Sequence, residues 1–414
     1  MTGLMPASYS ILTAALAFIA MPFLRLWSAV AGGETAASLR ERLGDLPGGL
    51  PRGAIVVHAA SVGEVTALAP FFRALTAPGG GRRPVVLSLM TPAGRRRARD
   101  LYPFPVIQAP LDAPAPVRRW LDRAVPAVLV IVETELWPVW LRAAAARGPV
   151  VWVNGRISDR SWPLYRLIRP LMAGVLSRLS LLAVISERDR RRAIALGARP
   201  NRVRVTGNLK VDALIPAAPP LGIPTGAWLV AGSTRPGEEE AVLAAFTRVR
   251  ARVPRARLCL APRHLARAPA VERLVRAAGF TVHRRSTGGA GRADCLLLDT
   301  HGELAAMYRR ARVAFVGGTL APVGGHNVLE PALAGAPVVF GPYTANVREH
   351  AAGLVRAGGG FRVRDPRDLG ARLTALMAAP RTARAAGGRA RRWVRAQQGV
   401  APRVVALLRR GGWA

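Results

Sequence analysis

Two parallel-sheet α/β halves joined by one linker is the fold class that the sequence predicts. Three observations carry the prediction. Apolar, β-rich runs alternate with amphipathic stretches along most of the chain. The alternation stops at 215–227 (IPAAPPLGIPTGA), which is rich in Pro and Gly and carries no charge, and then restarts. Small-residue and charged motifs fall at the ends of the apolar runs, where open parallel sheets hold their ligands.

In the first half, strands are expected at 54–57, 85–89, 128–132, 150–153 and 181–185. In the second half they are expected at 228–231, 257–260, 295–298, 313–316 and 338–340. Runs this apolar suit strands buried on both faces, the habit of βαβ units. The expected organisation is an N-terminal anchor over 1–31, a Rossmann-like domain over 32–214, a linker over 215–227, and a second Rossmann-like domain over 228–390. A C-terminal helix over 391–414 follows, the end of an Arg-rich helical pattern that begins near Arg381 and returns to the first domain. The two domains are expected to face a cleft.

Half of the 414 residues are hydrophobic, which supports a sizeable core and argues against disorder. The net charge is +36, which suits polyanionic partners: nucleic acid, an anionic membrane surface or phosphorylated substrates. The arginines are spread along the whole chain, so solvated helix faces account for the charge equally well. Cys259 and Cys295 sit in apolar strand-like runs and read as small buried hydrophobes in a reduced compartment. No Cys/His spacing suits a metal, and none is expected.

Residues 1–24 carry no charged side chain, and Ile11 to Leu24 is apolar except for Thr13 and Pro22. Tyr9 and Trp27 flank the run, as aromatic residues do at a membrane interface. The run is short for a full span, which takes roughly 20 apolar residues. Arg25, Arg40 and Arg42 follow it and would keep the rest of the chain cytoplasmic. Ala29-Val30-Ala31 resembles a cleavage site, but the basic n-region of a signal peptide is missing, so an uncleaved anchor is expected.

The first strand runs into His58-Ala59-Ala60-Ser61-Val62-Gly63-Glu64 and then a helix. Glu64 at that helix N-terminus is placed to act as a general base toward a substrate hydroxyl, or simply to cap the helix. The strand at 128–132 ends in Glu133-Thr134-Glu135-Leu136-Trp137-Pro138. Its paired acids fit acid/base work, acceptor binding, or capping of the next helix. Asn154-Gly155-Arg156-Ile157-Ser158 follows the next strand, and Gly207-Asn208-Leu209-Lys210 closes the half. Lys210 is the sole lysine; every other member of the 60 Lys+Arg residues is Arg. A position that keeps Lys against that bias suits a compact point charge that a planar guanidinium would not replace.

The second half opens with Gly232-Ser233-Thr234-Arg235-Pro236-Gly237-Glu238, and Ala261-Pro262-Arg263-His264 and Asp299-Thr300-His301-Gly302-Glu303-Leu304 follow further on. The strongest signal is Phe315-Val316-Gly317-Gly318-Thr319-Leu320 with Gly324-Gly325-His326-Asn327-Val328-Leu329-Glu330-Pro331. These glycines are expected to let a phosphate approach backbone amides at a helix N-terminus, with Glu330 accepting ribose hydroxyls. The pattern is neither GxGxxG nor GxxxxGK[ST]. Four of the six histidines, at 58, 264, 301 and 326, fall in such strand-end motifs and point to one cleft.

In order, HAASVGE, TPAG (91–94), ETELWP, NGRIS, GNLK, GSTRPGEEE, APRH, DTHGEL and GGTLAPVGGHNVLEPA resemble the motifs of the Kdo transferases, which move 3-deoxy-D-manno-octulosonic acid. The match runs from the apolar N-terminus and RERLG at 40–44 to about residue 350. The resemblance implies a GT-B fold, with acceptor on the first domain and donor on the second. It implies inverting transfer of Kdo from CMP-Kdo to a lipid A precursor, with no cofactor or metal required and with anchoring at the cytoplasmic face of an anionic inner membrane. It implies Glu64 as the base, Glu133 and Lys210 as transition-state stabilisers, and CMP binding by Pro262, Arg263, Gly302, Glu303, Leu304, Asn327, Val328, Leu329 and Glu330. Gly155, His301 and Leu111 stand where the family usually has Ala, Met and Tyr. A UDP-sugar transferase or epimerase of the same fold is the alternative enzyme. A nucleic-acid binder is opposed by the low aromatic content, 6%, which leaves few stacking platforms.

Overall fold

The computed structural model describes residues 9, 13, 33–78, 83–213, 222–223, 226–288 and 293–414. They form two units: the chain up to Ala213 with Gly399–Ala414, and Leu214–Gln398. Each unit is built on one seven-stranded parallel sheet.

In the first unit the strands are β1 (Ile55–Ala59), β2 (Val85–Leu89), β3 (Val106–Gln108), β4 (Val128–Val132), β5 (Val150–Gly155), β6 (Leu181–Val184) and β7 (Val203–Val205). Their order is β3-β2-β1-β4-β5-β6-β7. Alternate residues serve opposite faces. Val56, Leu129, Ile131 and Trp152 join one core cluster, whereas Ile55, Val57, Val128 and Val130 join the other. Both faces being covered is why these runs are uniformly apolar. From β1 the chain moves outward to β2 and β3, then returns to place β4 on the other side of β1. That reversal makes a switch point at the carboxyl ends of β1 and β4.

The second unit is also a seven-stranded parallel sheet, made of β8 (Ala227–Thr234), β9 (Ala256–Pro262), β10 (Val282–Arg284), β11 (Cys295–Leu297), β12 (Ala311–Val316), β13 (Val338–Phe340) and β14 (Gly360–Arg362), but β11 is inserted between β9 and β10. The order is β10-β11-β9-β8-β12-β13-β14, so its switch point lies between β8 and β12. β8 extends through Gly232-Ser233-Thr234, beyond the strand expected at 228–231. Cys259 and Cys295 are free and buried, and burial pushes both thiols well above their usual range.

Three expectations need correction or placement. The C-terminal boundary does not fall at 390, because one helix spans Pro380–Gln397 and belongs to the second unit. The break comes at Gly399, whose φ of 81° suits glycine. Only the helix Val400–Arg410 returns to the first unit. It buries Val400, Val404, Val405 and Leu408, and the Asp212 carboxylate accepts from Gly399 N at 2.8 Å and Ala401 N at 2.7 Å. Within the expected linker, Ile223 is buried in a core cluster of the second unit. The expected anchor over 1–31 lies outside the described residues, apart from Tyr9 and Thr13, and no helix of the described residues is long and apolar enough to cross a membrane. The Tyr9 hydroxyl donates to Asp112 at 3.1 Å, and the ring packs on the first unit's core.

Candidate active site

At the first switch point, Ser61 caps the helix Val62–Ala67, and Glu64 closes the box. Glu64 N donates to Ser61 Oγ at 3.3 Å, while the carboxylate accepts from Ser61 Oγ at 2.9 Å and from Ala60 N at 2.8 Å. The capping role is therefore real. It does not exhaust Glu64. The side chain is buried, and its carboxyl is pushed up by burial first and then by the Glu133 and Glu135 charges, against the lowering effect of the Ala60 and Ser61 hydrogen bonds. A buried, proton-seeking carboxylate at a switch point has the character of a general base.

Glu133 and Glu135 do not cap the helix Pro138–Ala145. Asp112 does that, accepting from Val139 N at 3.2 Å and Trp140 N at 2.8 Å. Both glutamates are thereby left to the switch point. Glu133 sits at φ 59°, a conformation uncommon outside glycine. Trp152 Nε1 donates to its carbonyl, and Asn154, at φ 55°, brings Nδ2 to 3.5 Å from its carboxylate. Asn154 Oδ1 in turn accepts from Leu209 N at 2.9 Å, which fixes the turn carrying Lys210. The Lys210 ammonium then lies 2.5 Å from Glu133 Oε1. The two expected stabilisers are thus an ion pair, half-exposed on the lysine side.

His58 is fully buried, with Nδ1 3.1 Å from the Ser88 carbonyl and Nε2 3.9 Å from Glu135. Trp137 Nε1 donates to Glu135 at 2.8 Å. Burial opposes ionisation of Glu135, but contacts from His58 and Trp137 outweigh it and hold the carboxyl below its usual range. Gly155 packs on Trp152: a Cβ there would come within 2.8 Å of the indole. Among the described residues no group of three His, Cys, Asp or Glu side chains has the geometry to hold a metal.

At the second switch point the glycine loop is used differently from expectation. Four of its amides, those of residues 318–321, are already taken. Glu238 Oε1 accepts from Thr319 N at 3.0 Å, Leu320 N at 2.8 Å and Ala321 N at 3.1 Å, and Oε2 accepts from Gly318 N at 2.7 Å and Arg235 N at 2.9 Å. Glu238 lies within GSTRPGEEE, whose motif alone assigns it no role. Its signal was an acid in the first turn after a glycine turn. Arg235, also unassigned, is held by imidazoles: Nε donates to His326 Nε2 at 3.2 Å, and Nη1 lies 2.8 Å from His264 Nε2. His326 is pushed below its usual range by burial and then by Arg235 and Arg263, so its ring is suited to accept.

The residues expected to bind CMP are divided in character. Arg263 and Gly302 are exposed. Pro262 ends β9, and Leu304 starts a helix and packs on the core. Glu303 pairs with Arg285 at 2.8 Å, which lowers its carboxyl pKa despite opposing burial. Val328 and Leu329 are buried, so only their backbone could face a ligand. Asn327 Nδ2 donates to Glu330 at 2.9 Å, and burial pushes the Glu330 carboxyl up. Of the four motif histidines, His264 and His326 meet on Arg235, His58 serves the first unit, and His301 is exposed.

Comparison with known proteins agrees with this architecture. Residues 37–213 match the family described as 3-Deoxy-D-manno-octulosonic-acid transferase (kdotransferase). A 3-deoxy-D-manno-octulosonic acid transferase of Bordetella pertussis is 34% identical over 378 residues, 85% of this chain and 86% of that one. A bifunctional glycosyltransferase/methyltransferase of Fusobacterium nucleatum is 34% identical over 327 residues, 75% of this chain, and the match spans 50% of that protein's length. Among solved structures, Anabaena HepE in complex with UDP superposes with a TM-score of 0.57 at 13% identity, covering 86% of this chain and all of that one. That likeness concerns the fold.

Proposed function

The chain belongs to the 3-deoxy-D-manno-octulosonic acid (Kdo) transferase family of glycosyltransferases, and from that premise we propose that it moves Kdo from CMP-Kdo to a lipid A precursor, with inversion. The observation that carries the reading is the Glu64 carboxylate, buried at the first switch point and raised by burial and by the charges of Glu133 and Glu135. In the proposed reaction Glu64 takes the proton of an acceptor hydroxyl as that oxygen bonds to the anomeric carbon. The bond from that carbon to the phosphate oxygen breaks, and CMP leaves with the electron pair. Lys210, steered by Glu133, stabilises the charge that develops. The second unit holds CMP through Arg263, the turn at Gly302 and the Asn327–Glu330 segment.

The apolar N-terminus and the basic composition support work at the cytoplasmic face of an anionic inner membrane. A chain starting near Glu34 should then turn over detergent-dispersed acceptor but leave the membrane fraction. The decisive test of the chemistry is Glu64→Gln. Gln keeps the capping geometry, so fold and CMP affinity should persist while turnover falls by about 10²–10⁴-fold. Turnover near the wild-type rate would remove Glu64 from the chemistry.

A further inference from the structure

The glycine loop after β12 already contains an anion, and that anion is part of the protein. Five backbone N–H groups converge on the Glu238 carboxylate, which is 1% exposed. Such a ring of amides is what binds a phosphate in other proteins. Here Glu238 occupies it. The glycines serve this internal fit: a Cβ at Gly317 would lie 2.8 Å from Glu238 Oε2, and one at Gly318 would strike the His326 ring at 2.8 Å.

The same loop sets the cations beside it. Gly317 O accepts from His326 N at 3.2 Å, and the His326 ring, packed on Gly318, accepts from Arg235 Nε. His264 meets the other arm of the guanidinium. Neighbouring Arg267 is neutralised by Glu239 at 2.7 Å. Among the described residues no carboxylate forms an ion pair with the guanidinium of Arg235 or of Arg263. Two imidazoles fix the orientation of Arg235 without cancelling its charge.

We propose that Glu238 is a positioning residue that permanently fills the amide nest of residues 318–321, so that the donor's phosphate is taken by the Arg235 guanidinium together with Arg263 and not by the loop's backbone. The inference rests on the nucleotide-sugar reading above. Arg235 becomes a phosphate-binding residue, and Glu238 acts through His326 to aim it. Charge-assisted contacts to phosphate are among the stronger hydrogen bonds, so each loss should be readily measured.

The test is calorimetric titration of the full chain with CMP and with cytidine, which differ only by the phosphate. Arg235 is partly exposed, so Arg235→Ala should fold. It should lose about 10- to 100-fold in CMP affinity while cytidine affinity stays unchanged. Glu238→Ala should also bind CMP more weakly, and added formate, refilling the nest, should restore the affinity. An Arg235→Ala protein that keeps the wild-type ratio of CMP to cytidine affinity overturns the proposal. So does a Glu238→Ala protein that binds CMP more tightly than wild type and is inhibited by formate, since the amides would then be the phosphate site. If Glu238→Ala does not fold, Arg235→Ala decides alone. Wild-type preference for UMP over CMP would refute the donor reading while leaving the phosphate site to be read on UMP against uridine. Binding of neither nucleotide would refute both.

Discussion

Both units are seven-stranded parallel sheets with a switch point beside their first strand, yet they furnish it with opposite chemistry. In the first, three carboxylates gather behind β1 and β4, and one of them, Glu64, is pushed toward holding a proton. In the second, Glu238 is consumed by backbone amides and Glu239 by Thr234 and Arg267, while Arg235 is held by two imidazoles. A topology fixes where a site lies, but not its charge. The charge follows from which side chain the first helical turn supplies and how many amides it meets. Three residues into its helix, Glu64 meets one amide beyond its own cap; Glu238, the first residue of its helix, meets five.

Changes that erase the contrast should have graded effects. After Glu64→Gln, the largest effect is expected at Lys210. Lys210→Arg and Lys210→Ala should both fold and bind CMP, and both should lose about 10²–10³ in turnover, read by steady-state kinetics. Arg cannot reproduce a compact ammonium 2.5 Å from Glu133. A wild-type rate in Lys210→Arg would make the solitary lysine an accident of composition. Smaller, and confined to the second unit, Arg263→Ala should weaken CMP by about tenfold in calorimetry and leave acceptor affinity alone. Unchanged CMP affinity would take Arg263 out of the site.

The subtlest effect is on pH dependence. Glu64 must be ionised to accept a proton, so kcat/KM should fall as pH drops through its raised pKa. Glu135→Gln removes one of the charges that raise it, so the acid limb should move to lower pH; a limb that stays put would assign it to another group. The sign for stability is opposite to that of a paired carboxylate. A raised folded pKa favours the folded state below the unfolded value and loses that advantage as pH rises through the folded value. Glu64→Gln should therefore melt no lower than wild type at neutral pH.

Much of this was legible in the sequence. Every central strand announced itself as an apolar run, because both faces of the sheets are covered. The four strands that the pattern missed, β3, β7, β10 and β14, are the four sheet edges, each three residues long and carrying polar residues such as Gln108, Arg204, His283 and Arg362. A run of three residues with a polar member is too short and too mixed to carry such a signature. Glu64 and Glu133 stand out because they follow strands, and Lys210 because it is the sole lysine. The cap from Asp112, 27 residues before Val139, does not, since no local pattern joins them. Glu238 has no local signature for the same reason: four of its five amide partners lie 80 to 83 residues away in the chain, and glycine spacing alone reads the same whether the loop holds a ligand or a carboxylate of its own.

The central claim is that the carboxylate-rich switch point activates an acceptor while the cationic one holds a CMP-linked sugar. Mass spectrometry of a tetraacylated lipid A precursor incubated with the full chain and CMP-Kdo tests it most directly. The predicted result is acceptor carrying added Kdo, formed by wild type and absent with Glu64→Gln. An acceptor of unchanged mass, or one modified from a UDP-sugar and not from CMP-Kdo, would contradict the account.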